Sequence, residues 1–324
     1  MKKRKFMLLL VFLAILILLQ VNYFTSMDRE TSYYHLSDLG GVYNSSFENL
    51  DFSNEISGRI ISGLQTVENQ PPDISVEDLI VQTSQVQLTG YSNKLLSWGI
   101  SRRPNHMIPG ADPGAPELLE KYNGFYLGDT SKKEIYLTFD EGYENGYTPK
   151  ILDTLKKNKV KAVFFITGPY LKQHQDLVRR MVEEGHVVGN HTVNHPSLPS
   201  LTDEQIEEEV LGLERAFREK FGKSMRFLRP PRGEYSERTL ALTSKLGYEN
   251  MFWSFAYDDW YRDKIRGADY AYKIVMDNLH NGAIILLHAV SKDNADALDM
   301  IIQGARERGY SFGDIELYRD SIGK

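Results

Sequence analysis

Two adjacent carboxylates follow an apolar run near the middle of the chain. The stretch TFDEGYENGY, residues 138–147, places Asp140 and Glu141 side by side and directly before a glycine. Neighbouring carboxylates repel each other and raise each other's proton affinity, so a purely structural turn would favour a single turn-forming residue. The pair therefore predicts a site at which these acids bind a cation or transfer a proton.

Two histidines lie four positions apart in HTVNHP, residues 191–196. A helical turn or a tight loop directs both imidazoles to the same side, a spacing that divalent metals use, although such a pair on a surface helix is often only structural. Two imidazoles and a carboxylate from a neighbouring strand would leave open positions on zinc or a similar ion. We therefore expect His191 and His195 to bind a divalent metal together with one of the two acids, while the other acid takes a proton from the attacking water.

Three further polar side chains follow apolar stretches and complete a candidate acid–base set. Arg229, in RPPRG, could keep one carboxylate ionised and oriented, and the alternative is a structural ion pair. His288 ends the apolar run AIILLH, where it suits a general acid that protonates a leaving amine, and the alternative is a buried structural histidine. Asp259, in YDDW, is the expected partner that raises the pKa of His288.

These residues require a scaffold that brings several strand ends together. After residue 134, apolar stretches that suit buried strands alternate with amphipathic segments that suit helices. The predicted strands are EIYLTF, KAVFFIT, HVVGNHT, RFLR, NMFWSF, AIILLH and YSFGDI. This alternation predicts parallel pairing with right-handed crossovers, and the lack of a dinucleotide-binding glycine pattern favours a closed barrel over an open sheet. We predict an α/β fold, a distorted TIM-like (β/α) barrel, with its active site at the carboxyl ends of the strands.

Composition excludes several classes of function. The 324 residues carry a net charge of −6 and include no cysteine. The lack of cysteine excludes disulfides, thiolate catalysis and thiolate metal ligands. No basic stripe occurs after the first five residues, so we expect no nucleic-acid partner.

The N-terminal segment has the pattern of an export signal. Four basic residues, 2–5, precede fourteen uninterrupted apolar residues, 6–19. Extended to Phe24, the segment would span about 28 Å as a helix, nearly the thickness of the bilayer core. No clean small-residue cleavage pattern follows, so we favour an uncleaved signal anchor at residues 1–27 over a cleaved signal peptide. The basic flank predicts a single-pass cell-membrane protein with its catalytic domain outside the cytoplasm, whereas cleavage would release a secreted protein.

The remainder divides into a polar segment and a catalytic domain. Residues 28–94 are rich in serine and asparagine and show no sustained periodicity, so we interpret them as a stalk or linker. Residues 95–324 carry all the candidate site residues and form the predicted catalytic domain.

Five motifs, in the order in which they occur, carry a resemblance to a known family. They are FYLGDTSKKEIYLTFDEGYENGYTPKILD, GHVVGNHTVNHP, FLRPPRGEYSE, FWSFAYDDW and AIILLHAVSKDNADALD. From about residue 95 to the C-terminus the chain resembles the polysaccharide deacetylases of carbohydrate esterase family 4, the NodB-homology domain. Within that family it resembles the delta-lactam-biosynthetic de-N-acetylases of the spore cortex. The resemblance implies a metal-dependent hydrolase that removes acetate from N-acetylmuramic acid in peptide-stripped peptidoglycan before muramic delta-lactam forms.

The same resemblance implies a role for each candidate residue. These roles are base for Asp140, metal ligand for His191 and His195, tether of the base for Arg229 and acid for His288. Glu141 stands where the family has an aspartate that binds the metal, so it would be either a displaced ligand or an acid behind the ligands. Ala256 stands where many members carry an aspartate, which leaves Asp259 as the expected helper of the acid.

Two other interpretations stay open. The departures at Glu141 and Ala256 allow a catalytically degenerate protein that only binds wall glycan. Among enzymes, the alternative is a deacetylase of chitin-like or peptide-bearing glycans. In each case the expected partner is a glycan strand. The aromatic residues that could stack on its sugar rings are Trp98, Tyr143, Tyr147, Trp253 and Trp260.

Overall fold

The computed structural model describes residues 90–324. The predicted anchor and residues 28–89 of the predicted stalk lie outside the described residues. Within residues 90–324, no helix combines the length and the apolar character needed to cross a membrane. The residues just before position 95 already contact the domain, because the Ser92 carbonyl accepts the Arg238 N–H at 3.0 Å and the Asn93 side chain donates to the Pro199 carbonyl at 2.9 Å.

Strands and helices alternate through most of the described chain, as predicted. The strands are β1 (Leu96–Ser97), β2 (Ile100–Ser101), β3 (Gly110–Ala111), β4 (Glu134–Glu141), β5 (Ala162–Ile166), β6 (Val187–Asn190), β7 (Phe227–Leu228), β8 (Glu234–Tyr235), β9 (Glu249–Asn250), β10 (Ala283–His288) and β11 (Ser311–Phe312). The α-helices are α1 (Ala115–Lys121), α2 (Thr148–Asn158), α3 (Gly168–Gln173), α4 (Gln175–Glu183), α5 (Asp203–Phe221), α6 (Glu237–Lys245), α7 (Ala268–Asp277), α8 (Lys292–Glu307) and α9 (Ile315–Ser321).

One parallel sheet of seven strands positions the predicted site. Its order is β10-β4-β5-β6-β7-β9, with β11 beside the start of β4. The strands β4, β5 and β10 are almost entirely buried, as expected for a parallel sheet covered by helices. Helices α2 and α8 pack in the core of this part of the sheet through buried leucine and isoleucine side chains, and α7 contributes Ala271, Val275 and Met276 to the same core.

The two edges of the sheet approach each other without pairing as strands. Phe255, beyond β9, bridges to Ile285 of β10, and two further single bridges join Phe125 to Met251 and Leu127 to Ala283. The N–H groups of Ser254 and Phe255 both donate to the Ile284 carbonyl, so the chain leaves the regular ladder here. The predicted parallel α/β fold is confirmed, and the barrel is confirmed in part, as a curled sheet completed by isolated bridges.

Helix α5, the longest within residues 90–324, shows how local sequence sets these elements. Thr202 and Gln205 have the sequence spacing of a capping box and form one at the start of α5. The Thr202 N–H donates to Gln205 Oε1 at 2.9 Å, and the Gln205 N–H donates to Thr202 Oγ1 at 3.3 Å. Such a cap contributes about 1 kcal/mol. The apolar residues of α5 recur at helical spacing and are buried, and they are Ile206, Val210, Leu213 and Phe217.

Several element ends differ from the prediction. Strand β4 was predicted to end at Phe139 but continues through Asp140 and Glu141. Thr148, before Pro149, has the sequence signature of the N-cap of α2, but it is the first helical residue and its hydroxyl donates to Glu141. The amphipathic stretch of residues 171–184 predicts one helix, but the structure has α3 and α4, separated at His174. No sequence pattern predicted α9.

Candidate active site

A cleft of about 620 Å³ lies over the carboxyl ends of the central strands. Asp140 and His288 occupy paired positions of the neighbouring strands β4 and β10, and His191 directly follows β6. Together with His195 these side chains line the cleft, while Arg229, which follows β7, lies beneath it. Parallel strands end at the same edge of a sheet, so the strand ends bring the predicted residues together as expected.

Arg229 pairs with Asp140 in a fully buried position. Arg229 is 0% exposed, its Nη1 donates to Asp140 Oδ1 at 2.7 Å, and its Nε donates to the Met251 carbonyl at 3.1 Å. Burial alone would raise the pKa of Asp140, but the charge of Arg229, with smaller effects of His191 and His288, lowers the pKa below its ordinary value. Asp140 is therefore held as a carboxylate, the form that a general base requires.

His191 is oriented by the backbone of the same arginine. Its Nδ1 donates to the Arg229 carbonyl at 2.8 Å, which leaves Nε2 unprotonated and 3.4 Å from Asp140 Oδ2. Burial lowers the pKa of His191, so the imidazole is neutral. A neutral imidazole with one nitrogen fixed by a carbonyl and the other free is the form that binds metals.

A strained loop, rather than a helical turn, brings His195 to His191. Thr192 and His195 both have left-handed backbones, with φ of 66° and 58°, and the His195 N–H donates to Thr192 Oγ1 at 3.0 Å. The two imidazole centroids are 4.6 Å apart. Burial, with a smaller effect of His191, lowers the pKa of His195 to about 4. Left-handed conformations of non-glycine residues cost free energy and often occur at functional sites.

His288 and Asp259 form the predicted pair on the other side of the cleft. Asp259 Oδ1 accepts the His288 Nδ1 proton at 2.7 Å, and Oδ2 accepts the backbone N–H of His288 at 2.8 Å. Burial would lower the pKa of His288, but the charge and hydrogen bond of Asp259 outweigh it and raise the pKa above its ordinary value. His288 can therefore carry a proton into the cleft on Nε2, as a general acid must.

Comparison with known proteins agrees with this geometry. The sequence profile for polysaccharide deacetylase matches residues 127–251. The peptidoglycan-N-acetylmuramic acid deacetylase PdaA of Bacillus subtilis is 46% identical over 231 residues, which cover 71% of this chain and 88% of that protein. The chain belongs to the polysaccharide deacetylase family.

Solved structures of family 4 carbohydrate esterases show the same fold. The structure of Bacillus subtilis PdaA has a TM-score of 0.70 at 45% identity and covers 71% of this chain and 99% of its own. A family 4 carbohydrate esterase from Bacillus anthracis has a TM-score of 0.61 at 45% identity and covers 72% of this chain and 100% of its own. The predicted family and the predicted class, a hydrolase that acts on amide bonds, are confirmed.

In this deacetylase the Glu141 side chain lies behind the sheet and does not line the cleft. Successive residues of a strand point to opposite faces, and both Glu141 carboxylate oxygens lie 3.3 Å from Thr148 Oγ1. Burial, with a further effect of Glu144, raises the pKa of Glu141 well above its ordinary value, so its carboxyl group is neutral. The role of Glu141 as a metal ligand stays a prediction. The position of its neutral carboxyl group against Thr148 does not support that role.

The donor set of the cleft offers two ligand positions to the divalent metal that the family implies. Within residues 90–324, no three histidine, aspartate or glutamate side chains are grouped in a way that could hold a metal ion. Two neutral imidazoles that converge beside Asp140 nevertheless fit two ligand positions of a zinc-like ion. The described residues therefore fit a divalent ion bound through His191 and His195, without Glu141.

Two residues of the site were not singled out from the sequence. Arg232 lines the cleft with a left-handed backbone, φ 59°, and within the described residues it is in no ion pair. Its position in RPPRG, three residues after Arg229, was the available signal. Asn294 bonds to Asp259 from α8, and no sequence pattern indicates this contact.

The five aromatic candidates divide between the cleft and the protein interior. Tyr143, Trp253 and Trp260 line the cleft. Trp98 is buried, with Nε1 donating to the Trp253 carbonyl at 2.9 Å, and Tyr147 packs against the core. Sugar stacking is therefore open only to the first three residues.

Proposed function

We propose that this chain is a peptidoglycan deacetylase that hydrolyses the N-acetyl amide of N-acetylmuramic acid with the help of a divalent metal. The observation that carries the proposal is the convergence of an ionised Asp140, two neutral histidines and a proton-carrying His288 on one cleft. The similarity to PdaA, whose name states this activity, supports the choice of sugar.

Amide hydrolysis at this site requires one group that takes a proton from water and one group that gives a proton to the amide nitrogen. Asp140 accepts a proton from water while the water oxygen forms a bond to the carbonyl carbon. His288 gives its proton to the amide nitrogen while the carbon–nitrogen bond breaks, so the products are acetate and a free amino sugar. A divalent ion bound by His191 and His195 would supply Lewis acidity at the carbonyl oxygen.

Arg232 supports a substrate with a free carboxylate beside the acetamido group. N-acetylmuramic acid carries a lactyl group, which ends in a carboxylate once the stem peptide has been removed. The Arg232 guanidinium, which is in no ion pair within residues 90–324, can pair with that carboxylate at the cleft, whereas a peptide-bearing lactyl group is an uncharged amide at this point. Deacetylation leaves an amine and a carboxylate on one sugar, the two groups whose condensation would give muramic delta-lactam. We include this peptide-stripped substrate in the proposal.

The proposed location follows from the N-terminal sequence alone. Residues 1–27 would hold the protein in the cell membrane with the deacetylase domain outside the cytoplasm, where its substrate is. Protease accessibility of the domain in intact and in lysed cells tests this placement.

Acetate release from defined glycans tests the function. Purified full-length protein is treated with a chelator and then supplied singly with zinc, manganese, cobalt or magnesium, and acetate is measured with peptide-stripped peptidoglycan, intact peptidoglycan and chitooligosaccharides. We expect release from the peptide-stripped glycan that returns with a metal and is lost in Asp140→Asn. Equal or faster acetate release from one of the other glycans would assign that glycan as the substrate. If a folded protein that still binds glycan releases acetate from none of them, the result would support the degenerate wall-binding alternative.

A further inference from the structure

A chain of buried hydrogen bonds runs behind His288, away from the cleft. Asn294 Nδ2 donates to Asp259 Oδ2 at 2.5 Å and to the His288 carbonyl at 3.2 Å. Asn294 Oδ1 accepts the Tyr257 hydroxyl proton. Asn294 and Tyr257 are 1% and 5% exposed, and neither lines the cleft. They can therefore affect chemistry there only through Asp259 and His288.

The orientation of the Asn294 amide is fixed by its partners. Nδ2 faces two acceptors, the Asp259 carboxylate and a carbonyl, while Oδ1 faces a hydroxyl that can donate. The flipped amide would place its oxygen against both acceptors and leave a buried carboxylate oxygen short of a donor. Tyr257 therefore selects the amide orientation that serves Asp259.

Three donors then fix the carboxylate of Asp259. Oδ2 accepts from Asn294 and from the His288 backbone, which leaves Oδ1 for the His288 imidazole. A carboxylate that only accepts requires the proton of a neutral imidazole to lie on Nδ1, so that Nε2 is the nitrogen on the cleft side. Without Asn294, one donor to Oδ2 is lost and the carboxylate can rotate about its Cβ–Cγ bond.

The backbone of Asn294 is itself held in place. Asn294 lies in the first turn of α8, and its N–H donates to the capping Ser291 Oγ at 3.3 Å. The network thus connects the start of α8, the loop after β9 and the last residue of β10. All three segments must keep their relative positions for the imidazole to stay aligned with the cleft.

We propose that Asn294, oriented by Tyr257, is a positioning residue that fixes the Asp259 carboxylate and through it the tautomer and direction of the His288 imidazole. The effect of this positioning on turnover rests on the proposed function, whereas the effect on the imidazole does not.

Nuclear magnetic resonance of the histidine rings tests the positioning without any substrate or metal. The full-length protein, with its eight histidines ¹⁵N-labelled, is compared with Asn294→Ala and Tyr257→Phe, and the His288 signals are assigned by their loss in His288→Gln. At a pH above the pKa of His288, where its ring is neutral, we expect protonation on Nδ1 in the unsubstituted protein, a mixture of tautomers in Asn294→Ala and a smaller change in Tyr257→Phe. Unchanged His288 ring signals in both variants would overturn the proposal.

Steady-state kinetics then test the consequence. Asn294→Ala is expected to lower kcat on the order of tenfold with little change in KM, because the bond lost is one to a charged group that does not touch substrate. The other charged groups that act on His288 are Asp140 and Arg229, and neither is altered. The control is Asn158→Ala in α2. It removes a buried asparagine whose Nδ2 donates to Asp299 Oδ1 at 2.7 Å. It should lower stability and leave the His288 signals and kcat unchanged, and an equal kcat loss in the control would mean that Asn294 acts only through stability.

Discussion

Asp140 and Glu141 are neighbours in sequence, but their carboxyl groups lie on opposite faces of β4. Asp140 lines the cleft and pairs with Arg229, while Glu141 is 0% exposed and bonds to Thr148 at the start of α2. The strand continues through both residues, and its alternation separates them. Two acids that the sequence presents as one site therefore belong to different environments, one ionised and one neutral.

Replacing Glu141 by glutamine distinguishes a metal ligand from a structural acid. A neutral carboxyl group and a carboxamide have nearly the same shape, so Glu141→Gln should keep metal affinity and acetate release within about threefold, with unfolding free energy changed by about 1 kcal/mol or less. Calorimetric titration with zinc and thermal unfolding measure both quantities.

Glu141→Ala provides the matched comparison. It leaves a cavity and removes the partner of the Thr148 hydroxyl, so it should lower the unfolding free energy by roughly 2 kcal/mol while zinc still binds. A loss of zinc binding in Glu141→Gln would instead show that this side chain changes face and binds the metal.

Asp140→Asn should affect both chemistry and stability. Loss of the general base is expected to lower kcat by about 10²–10⁴-fold. The amide oxygen can still accept from Arg229, but the charge of a guanidinium that is 0% exposed is no longer neutralised, so we expect a loss of about 2–4 kcal/mol in unfolding free energy. Acetate release and chemical denaturation measure the two effects. An unchanged kcat in a folded variant would remove Asp140 from the role of base.

Part of the site could be predicted because strand ends are visible in sequence. The apolar runs before Asp140, His191, Arg229 and His288 placed these residues at one edge of a parallel sheet, where the structure has them. Residue types then indicated a base, ligands and an acid, and the contacts of Arg229 with Asp140 and of His288 with Asp259 followed from charge.

The remainder depended on tertiary contacts that local patterns do not encode. Glu141 follows Asp140 in the same apolar strand, and only the hydroxyl of Thr148 on the packed helix shows which face it takes. Asn294 reaches Asp259 across 35 positions of sequence. The closed barrel requires a full strand at NMFWSF, whereas β9 contains only Glu249–Asn250 before the chain leaves the ladder.

Arg232 should set the preference for a free lactyl carboxylate. Arg232→Gln removes a positive charge from the cleft lining, so kcat/KM on peptide-stripped glycan should fall about three- to tenfold, with little change on chitooligosaccharides, which have no carboxylate. The control is Arg262→Gln, because Arg262 lies over the Tyr143 ring at 5.1 Å and is not part of the cleft lining. An equal loss on both glycans would assign Arg232 to general positioning of the sugar.

Stability should depend on pH through His186, which lies before β6 at the opposite end of the sheet from the cleft. Its Nδ1 accepts the Ala162 N–H at 3.2 Å, and within the described residues its buried Nε2 has no partner. Burial, with a smaller effect of Lys161, lowers its pKa from 6.5 to about 4. The folded state thus favours the neutral ring. The contribution of this ring to the unfolding free energy is complete above pH 6.5 and is lost as the pH falls towards 4. The unfolding free energy lost in full is about 3 kcal/mol.

Denaturation of His186→Asn at several pH values isolates this contribution. The asparagine oxygen can accept the Ala162 N–H, and it does not titrate, so the unfolding free energy of the variant should fall less steeply than that of the unsubstituted protein as the pH falls from 6.5 to 4. Other titrating groups, including the histidines of the cleft, are common to both proteins and cancel in the difference. Parallel curves for His186→Asn and the unsubstituted protein would mean that the folded state accommodates the charged ring, which would require the strand ends around Ala162 to open at acidic pH.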